Sequence, residues 1–109
     1  MMQMNQVQQR MNQIEQMADT AMSATRSAQA SDDLRQCVDE LHRKAREARD
    51  LIGGQAADES QVMRTVDDLE QVGDRAVQAC RKAGSVDPQV QTAVKRAHDE
   101  ISSLKKQLH

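Results

Sequence analysis

The stretch AGSVDPQV, residues 83–90, decides the fold, because it either breaks a long helix in two or merely kinks it. The apolar positions of the preceding segment run in phase through Asp87 to Val90, which would allow one continuous rod. Local chemistry argues for a break. Proline disfavours α geometry in the residue before it, here Asp87. Gly84 supplies a flexible exit, and Asp87-Pro88 sets an N-cap followed by a proline at the first helical position. The stretch therefore predicts a turn between two helices.

The same logic extends towards the N-terminus. Upstream, Val62, Val66, Leu69, Gly73, Ala76, Cys80 and Ala83 recur in alternating steps of three and four, which predicts a helix over 58–83. Asp58, followed three residues later by Gln61, is a capping-box start for it. Downstream, Val90, Val94, Ala97, Ile101, Leu104 and Leu108 mark a helix over 88–108. Gly53-Gly54 ends an earlier helix over 32–52, whose seam is Leu34, Val38, Leu41, Ala45, Ala48 and Ile52. A first helix over 3–29 carries Met4, Val7, Met11, Ile14, Ala18, Ala21, Thr25 and Ala28. Its boundary with the second has no Gly or Pro within 29–33, yet the seam changes phase there, and Ser31 or Asp32 is a suitable N-cap. A 3.5-residue repeat predicts narrow heptad seams with a gentle left-handed supercoil. Short connections make successive helices antiparallel neighbours. The expected fold is all-α: one domain over 1–109, an antiparallel up-down-up-down four-helix bundle.

Composition agrees with this class. There is no Phe, Tyr or Trp, and Leu, Ile and Val total 18 against 14 Ala and 7 Met. A net charge of −2 is too low for the disorder that so sparse an apolar supply would otherwise suggest. Close packing through small residues on good helix formers is the remaining solution. No apolar run is long enough to span a membrane, and no basic-then-apolar leader opens the chain, so the expected location is cytoplasmic. A pI near 5.9 without aromatic stacking platforms argues against nucleic acid as a partner.

Chemistry-bearing residues are few. Met1, Met2 and Met4 resemble a soft thioether cluster suited to Cu(I), but methionines at helical spacing more commonly serve as core or interface filler. Placing the second hairpin's centre near residue 55 offsets Cys37 from Cys80 by seven residues, roughly 10 Å along the axis at ~1.5 Å per residue. That offset predicts two free thiols, with Cys80 in the core. Asp39-x-x-His42 lacks the second motif of a di-metal bundle, since Lys95 stands three residues before His98. Solvated side chains are expected for His42, His98 and His109. The i,i+4 carboxylates Glu15 and Asp19 have no balancing pair, and neither cysteine has a His within one turn, so no nucleophile–base pair is legible. No cofactor is implied, and the expectation is a protein that is not an enzyme.

Charge patterning points to assembly. Arg35, His42 and Arg49 form a basic ridge on the second helix, and Asp67, Glu70 and Asp74 an acidic ridge on the third. Such ridges either set helix pairing or are solvated faces. The first helix differs, with four charges in thirty residues and an outer face of Gln, Asn, Ser and Thr. An uncharged polar face is cheaper to desolvate than a charged one. Met17 and Met22 flank its seam, and methionine is adaptable filler at contact surfaces. The sequence therefore predicts an interaction or assembly module that self-associates or docks a protein partner through this helix. The expected interface is Gln8, Met11, Glu15, Met17 and Met22. A soft-metal or redox-responsive bundle using Met and Cys is the alternative.

Overall fold

A computed structural model describes residues 3–54, 58–84 and 86–108. Four helices account for nearly all of them: α1 (Met4–Ser27), α2 (Asp32–Gly53), α3 (Glu59–Ala83) and α4 (Pro88–Leu108). Their starts follow cap chemistry. The Leu34 amide donates to Ser31 Oγ at 3.4 Å, so Ser31 rather than Asp32 caps α2. Asp58 and Gln61 form the reciprocal capping box at 2.8 and 3.1 Å. At α4 the Gln89 amide donates to Asp87 Oδ1 at 2.8 Å, and Pro88 is the first helical residue.

Cross-helix contacts settle the topology. Between α1 and α2, Gln8 reaches the Ile52 carbonyl while Glu15 reaches Arg49 and Asp19 reaches His42, so numbers rise on one helix as they fall on the other. Asp67 with Lys105 and Asp74 with His98 run the same way between α3 and α4. Arg10 reaches Gln107 and Glu100 and so joins α1 to α4. Each helix packs on two neighbours, in a ring closed by α1 against α4. The fold is an antiparallel four-helix bundle. α3 and α4 are separate, mutually packed helices, so the kinked rod does not form.

The seams are wider than predicted. Val72 and Ala93 lie outside the 3.5-residue series but are buried, because a helix touching two neighbours needs a broader apolar stripe than a two-stranded seam. At the other extreme, Ala28 and Ala83 are exposed and Met4 is 38% exposed, since they lie at helix ends beyond their neighbours' reach. The first helix ends at Ser27 instead of 29, because Gln29 takes a positive φ of 53°.

Most members of the two charge ridges meet a neighbouring helix, though not each other's; Arg35 instead pairs with Asp32 within α2. The basic side chains His42 and Arg49 of α2 meet Glu15 of α1 at 3.3 and 3.4 Å. The acidic ridge of α3 meets α4, with Lys105 Nζ 2.8 Å from Glu70 and His98 Nε2 2.6 Å from Asp74. His42 and His98 are therefore cross-helix partners and not solvated side chains. His109 lies outside the described residues.

Candidate functional site

The five residues expected to form an interface do not share one surface. Met11 is fully buried in the core and offers nothing to a partner. Gln8, Glu15 and Met22 are spaced by seven and share one flank of α1. The first two of them are engaged by α2: Gln8 Nε2 donates to the Ile52 carbonyl at 3.2 Å, and Glu15 pairs with His42 and Arg49. Met17 lies on the opposite flank, in line with Arg10, and packs partly buried against the core. The residue series 10, 17, 24 faces α4, whereas 8, 15, 22 faces α2.

Met17 lines a groove of about 630 Å³ between the second half of α1 and the first half of α4. Thr20, Ala24 and Ser27 continue its α1 wall, and Thr92 and Ala93 stand on the α4 wall. These side chains are short, so the two helices leave a crevice on their outer side that none of the described residues fills. Arg96 is the one charged side chain among the described residues of the lining. Among the described residues it makes no ion pair, unlike Arg10 one helix away. The walls are otherwise apolar or hydroxyl-bearing apart from the uncharged amide of Gln89, a composition that costs less to desolvate than a charged one.

The other depressions differ in kind. A groove between the start of α2 and the end of α3 is lined by Asp33, Arg75 and Lys82 as well as Cys37, and its charges oppose dehydration. It does reveal the true register of the second hairpin. Glu40 pairs with Arg75 at 3.3 Å, which puts Cys37 and Cys80 about two residues apart along the axis, or ~3 Å. The expected offset of seven residues is corrected: the hairpin's centre lies nearer residue 58 than 55. Both thiols are free, Cys80 buried and Cys37 partly exposed. Burial pushes both thiols above their ordinary pKa, for Cys37 with help from Glu40 and for Cys80 with help from the charge of Cys37. Such thiols are poor nucleophiles at neutral pH.

Compared with protein-family models, curated proteins and solved structures, the chain matches none. What bears on function is the geometry of the bundle.

That geometry contains little chemistry. Glu15, Asp19 and His42 meet across α1 and α2, but Glu15 is also held by Arg49. Among the described residues no group of three or more ligating side chains is disposed to hold a metal. Met4 stands exposed on the first turn of α1, and Met1 and Met2, the rest of the thioether cluster, lie outside the described residues. No helix among the described residues is long and apolar enough to cross a membrane.

The α4 wall of the groove escaped the sequence reading. Heptad seams identify core positions, but they do not say which helix flanks α1 on the Met17 side. Arg96 carried no signal of its own beside Lys95 in a helix rich in charge.

Proposed function

We propose that the protein is a non-catalytic interaction module that docks onto another protein chain through the groove between α1 and α4. One observation carries this reading: the groove is a sizeable concavity whose walls are almost free of charge on a chain that is 29% charged. Met17 supplies an adaptable apolar contact, and the short side chains around it admit a helix from outside. The Met/Gln-rich character of α1 fits this use. Gln8 and Glu15 are engaged by α2 and Met22 lies on their flank, so the contact surface is built from Met17, Thr20, Ser23 and Ala24 with Ala93 and Arg96.

A photo-crosslinking residue placed singly at Ser23, and at Gln71 on the exposed face of α3 as a control, tests the reading. Protein adducts are expected from Ser23, lost when Met17→Lys is added, and not from Gln71. Adducts from neither position, or equally from both, would remove the groove from the function.

A further inference from the structure

We propose that the chain covering this groove is a second copy of the protein, packed about a twofold axis that crosses α1 near Thr20 and α4 near Thr92. The inference rests on the docking reading above and names its partner. In a twofold interface each patch must complement itself, so every projection needs a matching recess at the mirrored position. The groove has that property in both shape and charge.

Shape comes first. On α1 the one long side chain in the groove is Met17, and seven residues along the same row stands Ala24. When two copies of α1 pack antiparallel about a centre between Thr20 and Ala21, Met17 of one copy falls on Ala24 of the other. The small hydroxyl side chains Thr20, Ser23 and Ser27 allow the helices to approach closely. Interaxial distance depends on the size of the side chains at the contact.

Charge obeys the same axis. Arg96 stands at one end of the α4 wall, and Asp87 lies nine residues away beyond the other end, exposed at the N-cap. The centre of that span lies between Gln91 and Thr92. Arg10 of α1 contacts Glu100, Ser103 and Gln107 of α4, and counting along the antiparallel pair from there brings the two centres to within about two residues of one level, or ~3 Å. One rotation therefore places Met17 on Ala24 and brings Arg96 within reach of Asp87 at the same time. Such an interface also relieves a core without aromatic side chains, since small scaffolds commonly gain stability by oligomerising.

The test is a size swap. By light scattering over a concentration series up to hundreds of micromolar, the wild type is expected to be a dimer. Met17→Ala leaves a recess facing Ala24, and Ala24→Met puts two methionines in contact. Each should weaken the dimer at least about tenfold, the change that ~1.4 kcal/mol produces. The double variant M17A/A24M exchanges projection and recess and should restore much of the affinity. Arg96→Asp should also weaken the dimer, and Asp87→Ser, which keeps a capping side chain, should weaken it less. Helicity of each variant, read by circular dichroism, separates lost association from lost folding.

A dimer in which M17A/A24M is no tighter than its parents overturns the twofold arrangement. A monomer that still crosslinks a different protein from Ser23 overturns the second copy as occupant while the docking reading survives. A monomer without adducts overturns both, as does a dimer whose crosslinks run through α3.

Discussion

The Ala30 amide donates to the Thr25 carbonyl at 3.1 Å, a six-to-one bond that closes the end of α1. It is half of a Schellman motif, and it forces the residue between them, Gln29, to a φ of 53°. Glycine normally fills that position because a Cβ is strained there. Replacing Gln29 with glycine removes the strain at some cost in chain entropy. The net expectation is a stabilisation of ~0.5–1 kcal/mol in urea unfolding. Gln29→Val, β-branched and intolerant of positive φ, should destabilise by more than that. No difference between the two variants would mean that α1 ends otherwise.

Two native glycines should respond with opposite signs. Gly73 lies inside α3, where a Cβ would stand 3.6 Å from His98 Cδ2 and Ile101 Cδ1, an ordinary contact. Gly73→Ala gains helix propensity without a clash and should stabilise by ~0.5–1 kcal/mol. Gly84 has a φ of 73°, so although nothing lies within 4 Å of its missing Cβ, alanine is strained there. Gly84→Ala should cost ~1–3 kcal/mol. Thermal unfolding of both variants checks the pair.

Alkaline pH should weaken the fold. Cys37 and Cys80 have pKa values raised above 9.0 by burial, and that of Lys105 is raised above 10.5, first by its hydrogen bond to Glu70. Between its unfolded and folded pKa each group holds more proton in the folded state. Stability linked to it is therefore complete below the unfolded value and is lost as pH rises through the folded one. The decline is expected to begin near pH 9, set by the thiols, and to steepen above pH 10.5, where Lys105 joins. The double variant C37A/C80A should delay its onset. In the native state Cys37 should react with a thiol probe before Cys80, and both should react in denaturant without prior reduction. A stability curve flat through pH 10 would show that the thiols ionise as freely folded as unfolded.

Much of the fold was legible because its breaks are local. Asp58 with Gln61, Asp87 with Pro88, and Gly84 each act within a few residues, so they can be read one at a time. The end of α1 was placed two residues late because Gln29 stands where the usual signal is glycine. Hairpin register was misjudged for a different reason. It depends on how α2 and α3 slide on each other after the turn, which Glu40 and Arg75 report only across space. The ridge partners were hidden likewise, since His42 meets α1 and Asp74 meets α4 only across space. Met17 was found from composition. Its groove was not, because half of that groove belongs to α4.

Arg10 closes the ring of helices, and its geometry makes a discriminating prediction. Its guanidinium donates to Glu100 Oε1 at 2.6 Å, Gln107 Oε1 at 2.8 Å and Ser103 Oγ at 3.2 Å, all on α4. A planar fork serves three acceptors at once, whereas an ammonium on a flexible stem cannot hold the same arrangement. Arg10→Lys keeps the charge and should still destabilise, by ~0.5–1.5 kcal/mol given that the pair is partly exposed. Two of the three acceptors are uncharged, so screening by salt leaves their share intact. The gap between wild type and Arg10→Lys should therefore persist in high salt, while the gap between wild type and Glu100→Gln narrows. If Arg10→Lys matches the wild type at low salt, charge alone joins α1 to α4 here and the fork contributes nothing.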